Sequence, residues 1–143
     1  MASATALYTP EVLALATSLA RYPLHDDLPF RGAARSPSCG SSLELGIALD
    51  SDDRISRIGL RAHACAIGQA AAAIFGAAAP GRSSMEVAQA GREVADWLTG
   101  GPLPAWPGIG AIAAAAAYPA RHGAVLLPWR AALSALPSNA ADR

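Results

Sequence analysis

The stretch SLELGIALDSDDRISRIGLRAHACAIGQ, Ser42 to Gln69, decides the fold. Leu43, Leu45, Ile47 and Leu49 alternate with Glu44, Gly46, Ala48 and Asp50. That period of two is the signature of a half-buried strand. Asp50-Ser51-Asp52-Asp53 is a polar turn. Ile58, Leu60 and Ala62 then alternate with Arg57, Gly59, Arg61 and His63, which predicts the return strand of a hairpin. Ile55 falls out of phase, so a bulge is expected near the turn. Beyond residue 64 the period lengthens to about 3.6. Cys65-Ala66-Ile67-Gly68-Gln69 opens an Ala-rich helix expected to run to about Gly76, and Pro80-Gly81 ends it.

Working outward, Thr9-Pro10-Glu11 is a helix start: a capping hydroxyl, Pro at the first helical position and an acid in the first turn. Val12, Leu15, Ala16 and Leu19 follow at helical spacing, and Tyr8 with Leu13 is placed to form a hydrophobic staple. This helix should stop near Arg21. Residues 24–42 read as loop, with a short strand at Arg31–Ala34. Ser83 and Glu86 form a capping box ahead of a helix that ends at Gly100-Gly101. A short apolar helix is expected at Ile109–Ala117, then a turn at Tyr118–Gly123. A last helix carries Val125, Leu126, Trp129, Leu133 and Leu136. Pro128 implies that this helix begins only shortly before it, because a deeper Pro loses a backbone bond. The expected architecture is α+β: a small antiparallel sheet of about three strands, covered on one face by helices. Residues 1–143 read as one domain, with 1–7 and 137–143 flexible.

Composition narrows the function. The chain has 143 residues, with eleven basic and eleven acidic side chains and a formal net charge of zero. No general nucleic-acid footprint is expected from that balance. All the basic residues are Arg, which excludes Schiff-base chemistry and a phosphate-binding P-loop lysine. The 36 alanines favour helix. No secretory leader is visible, and the most apolar run, Ile109–Ala117, is too short to span a bilayer. The expectation is a cytoplasmic protein with reduced thiols and no membrane partner.

Two cysteines remain. Cys39 sits in the small-residue turn Ser36-Pro37-Ser38-Cys39-Gly40-Ser41, and Cys65 lies where a strand hands over to a helix. A helix N-terminus favours a thiolate. The hairpin places both cysteines at one end. Against this stands the reading of each Cys as a small buried hydrophobe. His122 is the histidine best placed to ligate. His63 reads as a solvated strand residue, His25 as surface loop, and Trp97, Trp106 and Trp129 as core. A thiol enzyme using Cys65 with a His base lacks a third, orienting group.

Gly32 to Gly40, the hairpin, and Ala64-Cys65-Ala66-Ile67 before an Ala-rich helix resemble the NifU N-terminal, IscU and SufU scaffold family of iron–sulfur cluster assembly. That family carries Gly-x-x-x-Asn-Pro-x-Cys-Gly-Asp and then Gly-Cys-Ala-Ile-Ser. Tyr118 to Trp129 resembles its third motif, best in the SufU form Pro-x-Arg-x-x-Cys-x-x-Leu-x-Trp. The long gap before that motif, and the lack of Leu-Pro-Pro-Val-Lys ahead of His122, also favour the SufU type. The resemblance implies a metal or cluster site at Cys39, Cys65 and His122, with Ser41 where the family has Asp and Gly123 where it has the third Cys. It implies zinc, iron or a transient [2Fe–2S] cluster as cargo, and a carrier rather than an enzyme. The implied partners are a cysteine desulfurase and apo-proteins that receive clusters, with the chain a monomer or weak dimer. The departures at Ser41 and Gly123 suggest an alternative: a metal-free interaction module that docks on a desulfurase or another SUF component.

Overall fold

A computed structural model describes residues 7–37 and 39–137. The three predicted strands form one antiparallel sheet in the order β1 (Phe30–Arg35), β2 (Ser42–Leu49) and β3 (Ile55–His63). The register pairs Leu45 with Gly32 on one side and with Leu60 on the other. It shifts between Ala48 and Leu49, where Ile55 turns into the core at 1% exposure. That is the bulge expected near the turn.

Four α-helices complete the fold: α1 (Pro10–Ser18), α2 (Ala66–Ala78), α3 (Ser84–Leu98) and α4 (Pro119–Ala135). Thr9 caps α1 by accepting from the Val12 N–H at 3.2 Å. Leu13 is half-exposed, so it is the fully buried Val12 that seats this helix rather than a staple onto Tyr8. Leu7, assigned from sequence to a flexible end, is also buried; the rest of that end, residues 1–6, and residues 138–143 lie outside the described residues. Ser83 and Glu86 close the expected capping box, and Glu86 also reaches Arg54 at 2.6 Å. Replacing Ser83 with Ala should cost about 1 kcal/mol, read as a lower urea midpoint with an unchanged slope.

Helix α4 packs on β1 and β2, and α2 lies between α1 and α4. Close approach explains Gly32: a Cβ there would lie 2.1 Å from the Ala131 carbonyl oxygen and 2.5 Å from Ser134 Oγ. Ser134 also accepts from the Ala33 N–H at 3.1 Å, so the outer edge of β1 is partly satisfied by a helix side chain. On the other face, Leu24 and Leu28 from the preceding loop cover Gly46 and Gly59.

The C-terminal third departs from expectation. Ile109–Ala117 is 3₁₀ rather than α, with a kink at Ile112 (φ −110°, ψ 23°). Tyr118–Gly123 is not a turn: α4 begins at Pro119 and runs straight through it. Pro119 occupies the first helical position, where its missing N–H costs nothing. Pro128 therefore lies deep inside the helix. A Pro there loses one backbone bond and costs about 3 kcal/mol in an isolated helix. Burial of Leu127, Pro128 and Trp129 against α2, α3 and the sheet opposes that cost. Tertiary packing overrides the local rule.

Candidate functional site

The hairpin ends set the site. Cys39 sits in the β1–β2 loop, and Cys65 is the N-cap of α2, in extended backbone at φ −63°, ψ 171°. Both thiols are half-buried and free. The Cys39 loop is closed by Ser36 N–H to the Ser41 carbonyl at 2.8 Å and by Gly40 N–H to the Ser36 carbonyl at 2.9 Å. Gly40 supplies the left-handed backbone this turn requires, φ 71°.

The loop grips the sulfur. Cys39 Sγ lies 3.1 Å from Ser41 Oγ and 3.5 Å from Ser36 Oγ. Ser36 and Ser41 are buried polar side chains, at 0% and 5% exposure. Partial burial pushes the Cys39 thiol up. The Ser36 and Ser41 hydroxyls, the Ser41 N–H and the charge of Arg121 together outweigh it and hold the thiol below the usual cysteine range. The proton thus leaves the folded thiol more readily than the unfolded one. Its contribution to stability is present above the unfolded pKa and is lost as pH falls through the folded value. Iodoacetamide should therefore label Cys39 at lower pH than a free cysteine peptide, and Ser41→Ala should move that profile upward.

Arg121 is the residue that sequence reasoning passed over. It lies in the first turn of α4, within electrostatic reach of both Cys65 and Cys39. Tyr8, through charge and a hydrogen bond to its phenol oxygen, does most to hold the guanidinium protonated; the two thiols add to this. The same arginine borders a cavity of about 260 Å³ shared with Leu7, Tyr8, Tyr118 and Pro119. The sequence signal was present, since Arg121 is the Arg of the Pro-x-Arg motif. Its assignment to a turn hid its place at the pole.

His122 is half-buried, and its Nε2 lies 2.9 Å from the Ala116 carbonyl oxygen. That bond is of the kind that orients a ligating imidazole, with Nδ1 left to coordinate. Yet among the described residues no group of three or more His, Cys, Asp or Glu side chains is gathered closely enough to hold a metal ion. What the structure brings together is two thiols and a guanidinium. His63 is exposed at the end of β3, as expected, and the three tryptophans are buried.

The position of the missing cysteine depends on the anchor. Counted from His122, the third motif puts it at Gly123; counted from Pro119 and Trp129, at Ala124. Gly123 is half-buried, whereas Ala124 is fully buried. A Cβ on Gly68 would lie 2.7 Å from the Ala64 Cβ and 3.4 Å from the Ala124 Cβ. Ala124 therefore faces the same strand-to-helix junction that carries Cys65.

No protein-family model and no curated protein matches the chain. Its fold is nonetheless shared with solved structures. The N-terminal domain of a NifU-like nitrogen-fixation protein from Brucella abortus superposes with a TM-score of 0.82 at 22% identity, covering 90% of this chain and 91% of that one. A protein from Fervidobacterium islandicum AW-1, described as a putative iron–sulfur cluster assembly scaffold for the SUF system, superposes at 0.81 and 21% identity, covering 92% and 97%. A hypothetical protein superposes at 0.73 and 23% identity, covering 87% and 96%. The chain has the NifU/SufU-like α+β fold expected from its motifs.

Proposed function

We propose that this chain is a SufU/NifU-type assembly protein of iron–sulfur cluster biogenesis. Cys39 and Cys65 hold the cargo (iron, zinc or a transient [2Fe–2S] cluster), His122 offers a third donor through Nδ1, and the cargo or its sulfur passes to apo-proteins. The protein acts as a carrier, not an enzyme, in the cytoplasm, with a cysteine desulfurase as its sulfur source. One observation carries this reading: both thiols sit at one pole, beside Arg121, on a fold shared with a protein described as a SUF scaffold. Two thiolates and one imidazole make an incomplete set for zinc, which takes four ligands. Ser41 contributes at most a neutral hydroxyl. The hold is therefore weak and exchangeable, as a carrier requires.

A second reading is favoured by the lack of a three-donor group among the described residues. The chain is then a metal-free module that docks on a desulfurase or another SUF component.

The test is anaerobic incubation of the full chain with zinc, and separately with ferrous iron and sulfide, followed by desalting and metal analysis. Bound metal should fall to background in Cys39→Ser and Cys65→Ser and drop in His122→Ala. A wild-type chain that retains no metal overturns the carrier reading. Capture of a cysteine desulfurase by that metal-free chain then supports the docking module, and absence of capture removes it too.

A further inference from the structure

The charges on the open face of the sheet are sorted by position. On β1, Arg31, Ala33 and Arg35 are exposed; on β3, Arg57, Arg61 and His63 are exposed. The register aligns them in rows: Arg35 with Ser42 and His63, and Ala33 with Glu44 and Arg61. Away from the thiols, loop carboxylates neutralise the arginines. Arg31 faces Asp26 at 3.9 Å, and Arg57 meets Asp27 at 3.0 Å. Asp50, Asp52 and Asp53 follow in the β2–β3 turn at that same far end. At the thiol end the balance reverses. Glu44 is the carboxylate on these two rows, already 3.7 Å from Arg61, and no described carboxylate pairs with Arg35. Arg121 adds its charge beside the sulfurs.

The chain as a whole is neutral. Its charge is therefore not a general attraction but a polarity along the strands, cationic where Cys39 and Cys65 lie. Arg35 and Arg61 stand on the outer strands, two strand spacings apart, or roughly 10 Å. That is about a Debye length at physiological salt. A field of this reach acts on a surface already close, and it selects orientation more than it raises affinity. The arginines are spread over β1, β3 and the start of α4 instead of lining one cavity, which suits a broad partner better than a small anion.

We propose that the thiol end of the open sheet face, built on Arg35, Arg61, His63 and Arg121, is a docking surface for an acidic protein partner. This rests on the reading of the same pole as the functional one, but it needs no metal. The charge pattern turns the thiols toward that partner and turns the Asp50–Asp53 end away.

The test uses the isotopically labelled, metal-free full chain and a synthetic glutamate-rich dodecapeptide at low salt. Amide shifts should concentrate at Arg35, Glu44, Arg61, His63 and the loop at 36–41. Affinity should fall on the order of tenfold in Arg35→Glu/Arg61→Glu, fall likewise on adding salt, and hold in Arg92→Glu on α3. Both reversed residues are exposed on strands, so circular dichroism should show the fold intact. Shifts scattered over the surface or centred on the Asp50–Asp53 turn overturn the proposal, as does binding indifferent to salt. Tighter binding of a single-stranded oligonucleotide of equal charge overturns the protein assignment. Because no metal is present, failure here leaves the carrier reading standing, and failure of metal loading leaves this one standing.

Discussion

Trp129→Ala should lower stability by about 3–5 kcal/mol, the usual range for deleting a buried aromatic. Trp129 is 1% exposed at the centre of the core. It meets Phe75 edge-on at 5.4 Å and Trp106 edge-on at 5.3 Å, while Phe75 and Trp106 stack at 5.2 Å. Removing it strips one wall from both other rings, and a cavity walled by α2, α3 and α4 cannot collapse without moving three helices. A typical domain has roughly 5–15 kcal/mol in total, so the variant should unfold at much lower urea or fail to fold at room temperature. The chemistry of the indole sharpens this expectation. Trp129 Nε1 is buried without a hydrogen-bond partner, whereas Trp106 Nε1 donates to the Ile74 carbonyl at 3.0 Å. Trp129→Phe removes an unsatisfied group along with some volume, and should cost less than Trp106→Phe, which breaks a buried bond and strands a carbonyl. Equal losses for the two Phe variants, measured by urea unfolding, would contradict this account of the core.

Much of this is legible in the residues. The alternation of Leu43 to Leu49 tells which side of β2 is buried, and the phase error at Ile55 marks the bulge. Ser83 with Glu86 announces its helix because capping is a local interaction with a short, recognisable spacing. What fails is nonlocal. Pro128 argues against helix only while the chain is read locally; the burial of its neighbours is decided by α2, α3 and the sheet. With α4 shortened, Arg121 and His122 fall into a turn, and the guanidinium beside the thiols goes unseen. Its pairing with Tyr8 joins residues more than a hundred positions apart, which no periodicity reports. Ser36 is likewise visible only as turn composition. Its hydroxyl becomes part of a thiol site once the loop folds Cys39 back over it.

Ala124→Cys combined with Ser41→Asp should convert a weak, exchangeable site into one that binds zinc tightly. The reasoning is positional. Ala124 faces Ala64 and Gly68, which bracket Cys65 in the chain, and it is also where the third motif puts its cysteine when counted from Pro119 and Trp129. Ser41 Oγ already lies 3.1 Å from Cys39 Sγ, so a carboxylate there starts beside the first sulfur. With Cys39 and Cys65 in place, the double variant would add a thiolate and a carboxylate to the two native sulfurs, and His122 lies in the same first turns of α4. Zinc at about a hundred times its Kd stabilises a fold by about 2.7 kcal/mol, so the variant should gain several degrees in melting temperature on adding zinc, a gain that a chelator reverses. A new sulfur in a fully closed position carries a packing cost of about 1–3 kcal/mol. Ala124→Ser with Ser41→Asp, similar in volume but without a thiolate, measures that cost separately. Gly123→Cys with Ser41→Asp distinguishes the two anchors of the motif, because a residue at 123 is turned about 100° around the helix from 124. Zinc stabilisation by the 123 variant and not by the 124 variant would mean that the ligand set is built around His122 and not around the junction at Cys65. Stabilisation by neither would mean that the pole no longer closes on a metal even when its donors are restored.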